Sequence, residues 1–303
     1  MKKLVSVIIT TYNSEKTIQR TLDSILNQKG LRKEFDIELI VVDDCSTDKT
    51  VEIVKNYDLL LLTNDKNSGG PNKGRNMGIK KSSGDYICIV DHDDEWKENR
   101  LLSQLPYLEK VPIVTSGHSV INEKENRKID KINKSKVDFL YFESNTTFLN
   151  RLTKSLAGQN TYLSGIIYRK ELKDILFEEV FGIVDFDWIL RLFHEKASIE
   201  ICDSLYNRYV TDTNLSLNED YRRKDFYFSL MFIEGFMNVY PKEVKTSYKK
   251  IHGTIARYYY LMNNMQTARF FFLRSQLNLK TLAYYLTSFW GAKYVKRKYN
   301  VFD

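Results

Sequence analysis

The chain has no run approaching the ~20 consecutive apolar residues of a membrane-spanning helix, which argues against a helical integral membrane protein. Cysteine is scarce. Cys45, Cys88 and Cys202 are too far apart for a metal-ligand set or a disulfide framework, and they suit a reducing, cytoplasmic compartment. The opening MKKLVSVIITTYNSE is basic and then apolar, but Leu4 to Ile9 is too short for a signal-peptide core and no small-residue cleavage site follows. The turn after that run, TTYNSEKT, has no glycine, against a dinucleotide-binding G-x-G-x-x-G, and no G-x-x-x-x-G-K-[ST] phosphate loop occurs. Internal repeats and long linkers are missing too. What remains is a chain of 303 residues, 43% hydrophobic, enough for one large domain or a domain plus an extension. A formal charge of +7 favours anionic partners, whether nucleotides, phospholipids or nucleic acid, without choosing among them.

The first 120 residues or so alternate short β-branched runs with helical patterns. Strands are expected at Leu4 to Thr11, Ile37 to Val42, Leu59 to Thr63, Tyr86 to Val90 and Ile113 to Ser116. The first helix shows Ile18, Leu22, Ile25 and Leu26 at a 3.6 period. A second opens at Ser46 or Thr47, with Asp48 in its first turn. A glycine-rich turn, NSGGPNKGRN, leads to a short helix through Met77 and Ile79, and Leu101, Leu102, Leu105 and Leu108 mark a fourth. Strand alternating with helix predicts an α/β fold, a mostly parallel sheet flanked by helices. The polar stretch Asn122 to Lys136 reads as a loop, and Leu163 to Leu172 as a strand entering a helix.

Chemistry concentrates where strands end. GDYICIVDHDDEW carries Asp91, Asp93 and Asp94 directly after an apolar strand. Clustered carboxylates repel one another, and a hard divalent cation, Mn²⁺ or Mg²⁺, removes that repulsion while holding substrate phosphates. In open α/β sheets ligands bind at this strand edge. The plainer reading makes Asp93 or Asp94 a helix cap. His92 is a second choice as ligand, since these ions prefer oxygen. Asp43 and Asp44 close the second strand, where a carboxylate accepts hydrogen bonds from a base or ribose, or else from loop amides. Lys73 and Arg75 face a diphosphate, or form a solvated basic turn, and Gly69, Gly70 and Gly74 permit close backbone approach. Trp96 is either core or acceptor-facing, and Ser164 and Gly165 border an acceptor. Asp185 and Asp187, two apart, do not share a helix face; one faces a cleft, or both serve helix capping.

Taken in order, VSVIITTYN, LDSILNQ, LIVVDDCSTDKT and NSGGPNKGRNMGIKKSSGDYICIVDHDDEW resemble the family 2 glycosyltransferases, inverting enzymes of GT-A fold, over roughly residues 3 to 212. The resemblance implies that Thr11 and Tyr12 line a nucleotide pocket and that Asp43 and Asp44 contact base and ribose. It places Arg75 near the nucleotide. It assigns Asp91, His92, Asp93 and Asp94 to the DxD-type motif, with the metal on Asp93 helped by Asp91 or Asp94, and Asp91 also on the donor side. GIVDFDWILRLF matches the family's second acidic motif. Asp185 takes the catalytic base position, and Asp187, Trp188 and Arg191 match beside it, the first two on the acceptor side. Val184 departs from the glutamate many members carry there. The implied reaction is inverting transfer of a sugar from a nucleoside diphosphate donor to a saccharide hydroxyl in bacterial surface glycan synthesis. A uridine donor is the default and a lipid-linked acceptor the expectation. Two rivals are a sugar nucleotidyltransferase, disfavoured by the glycine-free first turn, and a catalytically silent nucleotide- or sugar-binding module.

The GT-A domain is expected over residues 1–215 and a helical extension over 216–303, where apolar and aromatic residues recur through Tyr227 to Phe236, Ile251 to Leu261, Ala268 to Leu277 and Leu279 to Lys298. The last of these ends in Lys293, Lys296, Arg297 and Lys298. Its aromatics pack the helices on one another or on a partner chain, as in a homodimer. Alternatively they meet an anionic membrane surface on the inner face of the cell membrane. Nucleic acid is not an expected partner, since the cations sit at one helix end without a binding module.

Overall fold

A computed structural model of the chain describes residues 2–155, 158–180, 185–210 and 219–292. It divides into two compact units, Met1–Phe148 with Ala157–Asn214, and Leu149–Leu156 with Leu215–Asp303.

The first unit is built on one sheet. β1 (Lys3–Thr11) lies between β2 (Phe35–Asp43) and β4 (Tyr86–Asp91), parallel to both, and β3 (Leu60–Thr63) extends β2 in the same sense. The chain then returns as β5 (Asp94–Trp96), β6 (Ile113–Asn122), β7 (Arg127–Lys131), β8 (Phe139–Phe142), β9 (Ile167–Arg169) and β10 (Ser198–Tyr209). The strand order is β3-β2-β1-β4-β9-β6-β10-β5, with β7 on β6 and β8 on β10. β6 and β10 are parallel, whereas β9, β5, β7 and β8 run antiparallel to their partners. The sheet is therefore mixed, with its parallel half in β1–β4.

Alternation sorts the helices onto two faces. Val5, Val7 and Ile9 of β1, with Val41 and Val90, pack against Ile18, Leu22 and Ile25 of α1 (Ile18–Leu26), Val54 of α2 (Thr50–Val54) and Leu101. On the other face α3 (Asn72–Lys81) lies close over β1: a Cβ on Gly74 would come within 2.9 Å of Thr10 Cγ2, and one on Gly78 would collide with Ile8. Those glycines therefore serve helix–sheet packing. α4 (Arg100–Gln104) continues as a 3₁₀ turn to Glu109; α5 (Thr146–Leu152) and α6 (Phe186–Phe193) complete the set, the boundary between the units running through α5.

Four expectations are corrected. Asn122 to Lys136 is not wholly loop, because β7 pairs with β6 from His118 to Asn122 and gives its backbone groups partners. Asp94 and Trp96 do not enter a helix; they form β5 on the edge of β10. The second helix starts at Thr50, and Asp48 precedes it, accepting from Thr50 N–H at 3.0 Å. Leu163 to Leu172 holds a three-residue strand between 3₁₀ turns.

The second unit contains α7 (Glu219–Glu234), α8 (Pro241–Leu261), α9 (Met265–Phe272) and α10 (Leu279–Thr287). Ala256, Tyr260, Ala268, Phe272 and Tyr284 form its inner cluster, with Phe272 stacked on Tyr284 at 5.7 Å. Asn264 and Asn278 cap α9 and α10 through their side chains. Among the described residues no helix is long and apolar enough to cross a membrane. Val184 and the basic run from Lys293 to Lys298 lie outside the described residues.

Candidate active site

Register brings the strand ends together: Thr11 is opposite Asp43, and Thr10 opposite Asp91. At the end of β2 both carboxylates are enclosed by donors. Asp43 accepts from Thr11 Oγ1 (3.0 Å), Ser46 N–H (2.9 Å) and Ser46 Oγ (2.5 Å). Asp44 accepts from Asn64 Nδ2 (2.5 Å), from Ser68 N–H on both oxygens and from Ser68 Oγ (2.9 Å). Asp44 thus organises the Asn67–Gly70 turn, in which Gly69 takes φ +80°. Asp43 fixes the Ser46 turn, and its Oδ2 accepts one bond where each Asp44 oxygen accepts two, which leaves it capacity for a further donor. Tyr12, half exposed at 49%, presents its ring at the same edge, and half-buried Lys73 opens α3 nearby in sequence.

The end of β4 is different. Asp91 pairs with the buried Arg75, whose Nη2 lies 2.9 Å from Oδ1, while Arg75 Nη1 donates to Asn72 Oδ1 at 3.0 Å. Arg75 is thus a fork fixed against the motif, not a solvated basic turn. Asp93 and Asp94 lie deeper. Burial raises both carboxyl pKa values, Asp94 well above the ordinary carboxylate range, and the charge of Asp91 adds to both. Against this, the neighbouring His92, and after it Arg208, favour the ionised form of Asp93, and the Ser164 hydroxyl and Arg208 favour that of Asp94. Meanwhile α1 pins the main chain of the turn. Thr21 Oγ1 donates to the carbonyls of His92 (2.8 Å) and Asp94 (2.7 Å), and Arg20 donates to that of Asp93 (3.2 Å). His92 Nδ1 sits 3.2 Å from Thr17 Oγ1.

Ser164 and Gly165 are buried behind this turn. Ser164 Oγ accepts from Asp91 N–H at 3.1 Å and bonds the Asp94 carboxylate, and Gln104 donates to Gly165 O at 3.0 Å. They position the carboxylates from inside. Trp96, for which the sequence left core and acceptor side open, and Trp188, which the resemblance put on the acceptor side, are both core. Fully buried Arg100 lies 3.9 Å over the Trp96 ring, and Trp188 stacks on Phe177 at 4.5 Å and donates to Ile175 O at 2.7 Å. Burying indole area outweighs its exposure, and for Trp188 the polar N–H finds a carbonyl. Asp187 is tied to Arg191 one turn on, and Arg191 also donates to Leu176 O at 2.7 Å. Asp185 stands at the N-terminus of α6, and its carboxylate makes no capping bond to that helix. Contacts from Trp188 to Phe177, from Phe177 to the Arg75 guanidinium (5.2 Å) and from Arg75 to Asp91 connect α6 to the carboxylate edge.

Three residues were missed from the sequence. Arg208 on β10 is opposite Asp94 and lies 5.5 Å from the exposed Tyr162 ring. Arg100 and Gln104 are bonded to each other within α4, Nε to Oε1 at 3.0 Å, and α4 meets the motif through Arg100 over Trp96 and Gln104 on Gly165 O. Their common signal is long-range strand and helix pairing, which no local pattern displays.

Oxygen-only donors, mutual repulsion and raised pKa values fit a hard divalent cation at Asp93 and Asp94. Among the described residues no three His, Cys, Asp or Glu side chains converge on one point, so the fit is to an ion held by one or two carboxylates plus substrate phosphates.

The glycosyl transferase family 2 model matches residues 6–176. Poly(ribitol-phosphate) beta-N-acetylglucosaminyltransferase TarS of Staphylococcus aureus is 40% identical over 109 residues, 35% of this chain and 19% of that protein. Poly(ribitol-phosphate) beta-glucosyltransferase of Bacillus spizizenii is 43% identical over 95 residues, 30% of this chain and 15% of that protein. The chain therefore spans under a fifth of either relative. The crystal structure of S. aureus TarS 1-349 in complex with UDP-GlcNAc superposes with TM-score 0.60 at 23% identity, covering 95% of this chain and 79% of that one, which shows a shared fold. With the family match over more than half its length, the strand-end acids in order and the shared architecture, the chain belongs to glycosyl transferase family 2.

Proposed function

We propose that the protein transfers a sugar from a nucleoside diphosphate donor, a uridine one by default, to a saccharide hydroxyl with inversion at the anomeric carbon. The observation that carries this is the division of the acids between two strand ends on one sheet edge and a third position before α6. Asp43 sits among hydrogen-bond donors at the end of β2, Asp91, Asp93 and Asp94 crowd the end of β4, and Asp185 stands apart on α6. Inversion calls for a base on the acceptor's side and charge stabilisation on the leaving group's side. Asp185 takes the acceptor's proton. Arg75 holds Asp91 in place, and Ser164 holds the backbone of Asp91 and the side chain of Asp94. A Mn²⁺ or Mg²⁺ ion on Asp93, helped by Asp91 or Asp94, would supply Lewis-acid neutralisation of the leaving diphosphate.

The acceptor is proposed to be a surface glycan carried on lipid, which puts the enzyme peripherally at the inner face of the cell membrane. The names of the two relatives assign them poly(ribitol-phosphate) acceptors, and a phosphate-bearing polymer is the first class to try here.

An NMR time course on the sugar product tests the stereochemistry; retention of the donor's anomeric configuration would sink the reading. Asp185→Asn is expected to lower kcat by about 10²-fold or more with donor affinity nearly unchanged. Stripping divalent ions with EDTA should abolish turnover and Mn²⁺ or Mg²⁺ should restore it. Thermal shifts with nucleoside diphosphates and Mn²⁺ rank the donor base.

A further inference from the structure

The charge of this chain is not spread evenly. Residues 261–303 contain seven Lys or Arg (Arg269, Arg274, Lys280, Lys293, Lys296, Arg297 and Lys298) and one acid, Asp303, so the formal +7 of the chain resides almost wholly there. In the described part of this segment α10 turns Thr281 and Tyr284 inward. Leu279, Leu282, Leu286, Phe289 and Trp290 point the other way, from 43% exposed at Leu282 to 86% at Leu279 and 74% at Trp290. Their spacing of three and four puts them along one side of the helix and the turn after it. Arginines accompany exposed rings: Arg269 lies 4.7 Å from the centre of Phe289, and Arg274 lies 3.7 Å from that of Phe270.

We propose that this outer face of α10, with Arg269, Arg274 and Lys280 beside it, is a docking surface for an anionic lipid bilayer. Leucine, phenylalanine and tryptophan on one side of a helix, among cations, suit the boundary between head groups and acyl chains. Charge decides against a second copy as occupant. A two-fold contact sets a patch against itself, and here it would bring Arg269, Arg274 and Lys280 toward their own images. Anionic lipid supplies the opposite charge. This deepens the peripheral placement proposed above and is independent of the transfer chemistry.

The test is flotation of the full chain with vesicles of phosphatidylcholine alone or mixed with phosphatidylglycerol. The wild-type chain is expected to float with the mixed vesicles at low salt, to bind the neutral ones about tenfold less, and to be released as salt rises. Leu282→Gln, Leu286→Gln and Trp290→Gln combined should cut flotation by about tenfold or more, with the melting temperature and transfer to a water-soluble acceptor unchanged. Arg274→Glu with Lys280→Glu should weaken binding and flatten its salt dependence, and unchanged binding by that variant would also overturn the proposal. Failure of the wild-type chain to float, or flotation of the triple variant at the wild-type level, overturns the proposal. So does sedimentation showing a dimer that the triple variant dissolves while no vesicle binding is seen. Because soluble-acceptor transfer is read in parallel, loss of the transferase reading would appear separately.

Discussion

β2 and β4 flank the same strand and end in aspartates at the same edge, yet the two ends are built in opposite ways. At Asp43 and Asp44, loop hydroxyls, amides and an asparagine converge on the carboxylates, so the acids fold their own loops. At Asp93 and Asp94 the main chain is pinned by α1 while the half-buried and the buried carboxylate crowd Asp91, and the net effect of burial and neighbours raises both pKa values. A pair of aspartates after a strand is therefore two different devices. Hydrogen-bonded, it is scaffolding; buried beside a third acid, it is a held charge that a cation or a proton must relieve.

Replacing Asp93 and Asp94 together by asparagine should separate the two ends most. Turnover is expected to fall by about 10²-fold or more, while stability without divalent ions rises. The sign follows from linkage. A carboxyl whose folded pKa lies above its ordinary 3.8 binds its proton more tightly in the fold, so wild-type stability declines as pH climbs out of the ordinary carboxylate range. The variant lacks that decline, and its advantage in thermal melts should be larger at pH 8 than at pH 4. A variant less stable than wild type at pH 8 would break the contrast. Asp44→Ala should do the reverse at the other end. It strips Asn64 and Ser68 of their partner, and urea melts should show a loss of about 1–3 kcal/mol.

An effect confined to acid pH is expected behind the site. His118 is fully buried, stacked at 5.2 Å on Tyr206 and edge-on to Tyr162, with Arg208 and Lys131 as the nearby cations. Burial first, then those cations, push its pKa from 6.5 to about 4. The unfolded chain takes up the proton first, so its contribution is complete above pH 6.5 and is lost as pH falls toward 4. His118→Phe keeps a ring in the stack and should flatten the acid side of the stability profile over that range, by up to about 3 kcal/mol. An unchanged slope would remove His118 from the account. Smallest is Gln104→Leu, which unties Arg100 and Gly165 and should cost about 1 kcal/mol with a modest rise in donor KM.

The parallel half of the sheet was legible because β1, β2 and β4 are apolar runs buried on both faces, and strands of that kind state their own identity. Their acidic ends were legible for the same reason, since charge after such a run has no part in the core. β7 was not: Arg127, Lys128, Asp130 and Lys131 surround a single isoleucine, and only pairing with β6 makes them a strand. β5 is three residues whose partner lies far down the chain. Trp188 read as a site residue, and Trp96 as one or core, because they neighbour motif acids, while packing with Phe177 and Arg100 takes their rings inside. Arg208 was invisible for a related reason, as its place opposite Asp94 exists only once β10 has formed.

The segment from Tyr86 to Trp96 leaves the middle of the sheet as β4 and reappears at its far edge as β5, closed by Trp96 opposite Tyr206. This has a consequence for synthesis. A nascent chain emerging from the ribosome has β1 to β4 early, along with the turn that bears the acids, but β5 has nothing to pair with until β10 is made. Contacts so distant in sequence form slowly. The β5 edge is thus the last part of the sheet to be paired, and a chain halted before Tyr209 would carry the motif held by α1 alone, without the strand opposite Asp94.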